Sequence, residues 1–122
     1  MKTSQFIHKK EGVVVHNCHG GVGPFVFYDM IEEADKMFIR FIHDDIIPPK
    51  STFGYHQHKE ANEEEWYYCV SGSGIMQLDG EEIPFNPGDI CVCRTNGWHG
   101  LINNGTEDLR IIVICASSME EK

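Results

Sequence analysis

Long apolar runs are missing from this sequence. No stretch approaches the roughly 20 consecutive apolar residues of a membrane-spanning helix. The first residues, Met1 to Gly12, are polar and lack the apolar middle of a signal peptide. Cations are scarce as well: ten Lys and Arg stand against nineteen Asp and Glu, a formal net charge of -9. They are scattered rather than clustered, so the chain has neither the basic face of a nucleic-acid binder nor a polybasic patch for an anionic membrane. A cytoplasmic protein with no nucleic-acid and no membrane partner is expected. Five cysteines (Cys18, Cys69, Cys91, Cys93 and Cys115) form an odd set without a C-x-x-C spacing. That is a poor disulfide framework, and in a reducing compartment they read as small buried hydrophobes. A sustained 3.6-residue hydrophobic period is also absent, which removes helical architectures.

What the sequence does contain is short strands. Val13 to Val15, Phe25 to Tyr28 and Met37 to Ile42 are rich in β-branched and aromatic residues. The glycine-rich stretch Cys18 to Pro24 reads as a plain turn, because no Lys-Ser/Thr pair and no helix follow it. Ile31 to Lys36 has room for one helical turn. Ile46 to Lys50 ends an extended piece at two prolines. Further strands are predicted at Phe53 to His58, Glu65 to Val70, Ile75 to Leu78, Glu82 to Phe85, Ile90 to Cys93, Trp98 to Ile102 and Leu109 to Cys115. Asp79-Gly80 is a two-residue hairpin signal, since both positions tolerate positive φ. Ser117 to Lys122 reads as a frayed polar tail. At 122 residues, with short strands evenly punctuated by Gly, Pro and Asn, the pattern is that of a single all-β domain, a sandwich or a barrel.

Within that frame Tyr55-His56-Gln57-His58 stands out. The two-residue period of a strand puts His56 and His58 on one face. Glu63 and Glu65 follow in one strand phase, with Glu64 in the other. His99 opens a later strand that a barrel would bring beside the first two histidines. Three imidazoles and a carboxylate suit a divalent transition metal (Fe, Mn, Ni, Co, Cu or Zn), whereas calcium or magnesium would call for mostly oxygen ligands. The plain alternative is a set of ordinary barrel-lining histidines. His16, Cys18 and His19 form a second, incomplete cluster that reads more simply as loop, and His8 and His43 have no partner readable from sequence.

These residues resemble the two motifs of the cupins. His56, His58, Glu65 and Gly72 match the first, and Pro87, Gly88, His99 and Asn103 match the second, in the right order and over roughly Ile47 to Cys115. Six residues separate His58 from Glu65, more than the family's usual three or four. Glu63 fits that spacing, but only Glu65 fits the fixed distance to Gly72, and an insertion is absorbed more easily by a loop than by a paired strand. Lys50 stands where the family often has Gly, and Arg94 and Asn96 stand where it has Pro and Gly. The resemblance implies a double-stranded β-helix, or jelly roll, with residues 1–45 covering the barrel. It implies metal ligation by His56, His58, Glu65 and His99, and a homodimer.

Strand alternation puts Tyr67 and Cys69 on the cavity face and Trp66, Tyr68 and Val70 on the other. Tyr55, Gln57, Met76 and Trp98 are further candidates to shape the cavity, although Tyr55 and Gln57 alternate with the histidines and should face away. The function expected is a metal-binding enzyme acting on a small polar, sugar- or carboxylate-like molecule, with Tyr67 or Glu63 as proton carriers. A non-catalytic binding module and an iron-dependent dioxygenase are the alternatives, since the fold does not choose among them.

Overall fold

The computed structural model describes residues 4–118, so the first residues of the Met1–Gly12 stretch and most of the expected polar tail lie outside the described residues. Ten strands run β1 (Val13–His16), β2 (Pro24–Asp29), β3 (Ile39–Ile47), β4 (Thr52–Gln57), β5 (Glu63–Ser71), β6 (Gly74–Leu78), β7 (Glu81–Phe85), β8 (Ile90–Arg94), β9 (Trp98–Ile102) and β10 (Leu109–Ser117). They form two antiparallel sheets. One has the order β1-β2-β3-β10-β5-β8 and the other β4-β9-β6-β7. The strand spacing predicts this all-β architecture, and the cupin resemblance implies its jelly-roll form. Among the described residues there is no α-helix; two short 3-10 turns, Cys18–Gly20 and Glu33–Asp35, interrupt the strands.

Several boundaries differ from the sequence-based expectation: β5 begins at Glu63 rather than Glu65, and β4 stops at Gln57, one residue before His58. Met37 to Ile42 and the piece ending at Ile46–Lys50 are one nine-residue strand, β3, because it pairs with β10 from Ile39 to Ile47. Ser117 belongs to β10 rather than to a tail, where it lies opposite Glu63 of β5. Asp79 (φ 46°) and Gly80 (φ 85°) make the two-residue turn between paired Leu78 and Glu81. Both central residues are left-handed, the geometry that matches strand twist in a tight hairpin. Asn96 (φ 73°) likewise takes the left-handed backbone that Asn tolerates.

The core lies between the sheets: Ile47, Phe53, Tyr67, Met76, Leu101, Leu109, Ile111 and Val113 are all buried. Its pattern is the period-two alternation of β5 and β10, in which Tyr67 and Cys69 point in while Tyr68 stays 43% exposed. The free cysteines Cys69, Cys93 and Cys115 are buried and Cys18 and Cys91 half-buried.

β4 departs from a regular strand in one place. Phe53 pairs with Leu101 and His56 with His99, so three steps on β4 oppose two on β9. This one-residue bulge at Gly54–Tyr55 shifts the alternation, so that Phe53 and His56 both face inward while Tyr55 faces out. The Cys18–Gly20 turn packs against this point. Val22 and Thr52 exchange hydrogen bonds, Thr52 N to Val22 O at 2.8 Å and Val22 N to Thr52 Oγ1 at 2.9 Å. A Cβ on Gly54 would collide with the His19 carbonyl. Gly54→Ala is therefore expected to cost about 1–3 kcal/mol by overpacking. Gly80→Ala, with open space around it but φ at 85°, should cost only about 1 kcal/mol. Urea denaturation compares the two, and equal losses would show that the contact at Gly54 is not tight.

Candidate metal centre

The strand pairings bring the sequence-predicted residues to one end of the barrel. β4 and β9 place His56 directly opposite His99, and the two rings lie 4.6 Å apart. His58 follows β4 and is tied by its backbone to the β8–β9 turn, its N–H donating to Gly97 O at 2.8 Å and its carbonyl accepting from Asn96 N at 2.6 Å. β5 carries Glu63 and Glu65 on the same inner face. Ligand atoms of His58, Glu65 and His99 all lie within 4.8 Å of one another. His56 stands beside that group but outside it. Its ring stacks on His19 at 3.7 Å, and its Nδ1 lies 2.8 Å from the Gly54 carbonyl.

That last contact settles a tautomer. A carbonyl only accepts, so Nδ1 carries the proton and Nε2 keeps its lone pair, the arrangement in which a histidine binds a metal. His58 and His99 are 6% and 2% exposed, and the Nε2 atom of each is buried without a hydrogen-bond partner. A buried ring nitrogen left unpaired is costly unless something occupies its lone pair. The donor set of imidazole nitrogens and a carboxylate suits a transition metal, so these residues fit the ion that the histidine spacing predicts.

The carboxylates are built into the site differently. Tyr67 O–H donates to Glu65 Oε2 at 2.9 Å, and Glu65 Oε1 lies 3.5 Å from His58 Nδ1. Burial pushes the Glu65 carboxyl upward, opposed by the Tyr67 hydrogen bond and by His58 and His56. Tyr67, fully buried, is raised well above the usual phenol range by burial and the adjacent Glu65. Its hydroxyl is committed to holding Glu65, so it positions that carboxylate rather than moving protons. Glu63 Oε1 is 3.5 Å from His58 Nε2 and accepts from Cys115 Sγ at 3.4 Å. A second set, His58 with Glu60 and Glu63, also brings ligand atoms within 4.8 Å.

Other residues of the motifs are structural. Asn103 is fully buried, donating to Ile47 O (2.8 Å) and Glu107 O (2.9 Å) and accepting from Gly105 N. Gly72 takes φ 73°. Tyr55 and Trp98 stack on each other outside the cavity at 5.4 Å, and Tyr55 Oη accepts from Gly80 N. Of the candidates to shape the cavity, Tyr55, Gln57 and Trp98 are thus absent from its wall. The bulge preserves the outward phase of Tyr55, and Trp98 precedes inward His99. Met76 packs in the core.

The site opens into a cavity of about 560 Å³. Its wall includes His19, Arg40, His43, Asp45 and Phe25, Phe27, Phe41 and Phe53, none of which the motif spacing singles out. His19 arrives on a turn, in left-handed backbone (φ 51°), and periodicity carries no signal for such a residue. Cys18 also reaches the wall, where burial and the nearby Asp45 and Glu65 push its thiol up to about 11. It is therefore a neutral thiol and a poor ligand.

The Cupin_2 model, a cupin domain, matches residues 45–115. This chain belongs to the cupin family. The cupin is 29% identical over 101 residues to the "Oxalate-binding protein" of Thermotoga maritima, covering 82% of each chain. Its fold matches the crystal structure of a "predicted oxalate decarboxylase" from Thermotoga maritima with a TM-score of 0.86 at 25% identity, covering 93% of this chain and all of that one. It also matches KdgF from Halomonas sp., with a TM-score of 0.74 at 17% identity over 96% of this cupin and 97% of that chain, a likeness of fold alone.

The cupin's pocket has an acid-sensitive element apart from the histidine group. His43 lies flat on Phe41 (4.3 Å) and edge-on to Phe27 (4.2 Å), and burial holds it down at about 4. Unfolded, it titrates near its ordinary value, so between about pH 6.5 and 4 the unfolded chain takes up a proton that the folded one refuses. Stability is therefore lost as pH falls through that window. Asp45, raised to about 8 by burial and by Asp44 and Glu65, has the opposite sign, and its contribution is lost as pH rises towards 8. His43→Phe should flatten the acid side of the stability profile by up to about 1.4 kcal/mol per pH unit. Denaturation followed by circular dichroism from pH 7 to 4 checks this, and an unchanged slope would assign the acid sensitivity elsewhere.

Proposed function

We propose that this cupin holds a divalent transition metal through His56, His58, His99 and Glu65 and uses it to bind a small carboxylate, with oxalate the first candidate. The observation that carries the reading is the pair of buried Nε2 atoms on His58 and His99 that no hydrogen bond satisfies, in two residues that share a ligand group with the Glu65 carboxylate. When bound, the metal supplies a Lewis-acid centre with positions open to anionic oxygen. The protein's residues orient and shield it. Gly54 fixes the His56 tautomer, Tyr67 holds Glu65, and the core beneath Met76 and Leu101 keeps water from that side.

Electrostatics supports an anion only with the metal in place. The cavity wall carries Glu60, Glu63 and Glu65 against a single guanidinium, Arg40. Without a cation of higher charge, that wall repels a dicarboxylate. The relative named an oxalate-binding protein supports oxalate as the probe. Two readings of the outcome stay apart by experiment: a decarboxylase or oxygenase on such an acid, with Glu63 as the pocket carboxylate able to carry a proton, and a binding module that holds it unchanged. The homodimer that the cupin resemblance implies would use the exposed Tyr68 and Ile90, paired on the outer face of β5 and β8.

Protein purified without chelators should contain near-stoichiometric metal by mass spectrometry. Glu65→Gln and His99→Ala should weaken that metal by more than about 100-fold, and Glu63→Gln by tenfold or less. Equal effects of the two Glu changes would show that the wrong carboxylate has been assigned, and no metal even after reconstitution would remove the metal-centred reading. Oxalate should bind by calorimetry to metal-loaded protein and not after chelation. Assays for carbon dioxide, formate and oxygen uptake then separate turnover from storage.

A further inference from the structure

Asp44 and Asp45 are neighbours with opposite fates. Asp44 receives two hydrogen bonds from Arg110, at 3.0 and 2.7 Å, and its burial is thereby explained. Asp45 is 2% exposed, lines the cavity, and leaves Oδ1 buried with no partner. The neutral His43 ring lies near its other oxygen, with Nδ1 4.0 Å from Oδ2. Nothing in the barrel's packing calls for a carboxyl there, and an unsatisfied buried polar group asks for an explanation.

The strand register places this group away from the histidines. Phe41, Cys115 and Glu65 form one cross-strand row; His43, Val113 and Tyr67 form the next; Asp45, Ile111 and Cys69 form the third. Asp45 is therefore about 13 Å along the strands and ~10 Å across them from Glu65 at the backbone, on the same concave face. Along that face Phe41 stands in the Glu65 row and Phe27 opposite Asp45, and Phe25 and Phe53 add further rings to the cavity wall. The cavity of about 560 Å³ lies in the range that holds drug-sized ligands, and a molecule as small as oxalate would leave most of it to water.

The geometry points to a second recognition subsite, the phenylalanine-lined wall together with Asp45. It takes the far end of an elongated organic acid: a carboxylate head for the histidine site, a flat apolar body, and an oxygen acceptor at the tail for the Asp45 carboxyl. This rests on the metal-centred reading above and enlarges its ligand. The high value of about 8 at Asp45 keeps its carboxyl neutral near pH 7, as a hydrogen-bond donor. Such a site rejects analogues that lack the matching acceptor, because its own buried group is then left unpaired.

The test uses cobalt(II)-loaded protein, with calorimetry and the cobalt visible spectrum as readouts. The probes are oxalate, phenylpyruvate and 4-hydroxyphenylpyruvate, a pair of 2-oxo acids differing by one tail hydroxyl. Wild-type protein should bind 4-hydroxyphenylpyruvate about tenfold more tightly than phenylpyruvate, and either more tightly than oxalate. In Asp45→Ala the hydroxyl should give no advantage, Asp45→Asn should retain most of it through its N–H, and oxalate affinity should be unchanged in both. The wild-type comparison stands whether or not the variants fold. Oxalate binding that perturbs the cobalt spectrum, with no gain from the longer acids or a hydroxyl advantage that survives in Asp45→Ala, would overturn the subsite alone. A cobalt spectrum that no acid perturbs would overturn the carboxylate reading and the subsite with it.

Discussion

The pairing of β4 with β9, with one residue too many on β4, is the constraint on which the site depends. A regular strand would send Phe53 and His56 to opposite faces. The bulge at Gly54–Tyr55 sends both inward, one into the core and one towards the cavity, and puts His56 directly across from His99. Glycine at position 54 serves two needs at once. It lets the backbone bend, and it leaves room for the turn that delivers His19 onto the His56 ring. Its carbonyl also receives the His56 Nδ1 proton. Side-chain direction, tautomer and ring contact thus trace to one local irregularity.

Around that constraint the cavity is divided by chemistry. At one end, imidazole nitrogens and carboxylates crowd together, with Tyr67 anchoring Glu65 and His58 flanked by Glu63 and Glu65. A shared cation or proton would relieve the repulsion within such a cluster. At the other end, Phe27, Phe41, His43 and Asp45 form a neutral, aromatic wall in which burial suppresses charge on both titratable groups. The two ends are nonetheless coupled: Glu65 at the first helps to raise the Asp45 carboxyl at the second, because low-dielectric walls screen little between them.

Much of this was legible in the residues. The alternation in β5 placed Tyr67 and Cys69 inward, Asp79-Gly80 marked its hairpin, and the same-face spacing of His56 and His58 survived in the fold. These are short-range properties, determined by backbone sterics and the two-residue period of a strand. The cupin likeness of the His, Glu, Gly and Asn positions placed the family before any coordinates. The strand boundaries of β3 and β10 were less legible, because pairing with a distant partner, not local propensity, decides where a strand stops.

By itself the sequence determined the all-β class, the turns, the inward faces of the paired strands and the residue types from which the metal group is drawn. Only the tertiary structure decided that His56 stacks on His19 and stands just outside the His58–Glu65–His99 group, that Tyr67 is bound to Glu65, and that Asp45 turns an unpartnered oxygen into a phenylalanine-lined cavity. The reason is physical. Period and turn chemistry act over a few residues, whereas these contacts join β1–β3, β4, β5 and β9 through sheet pairings whose register no single segment encodes.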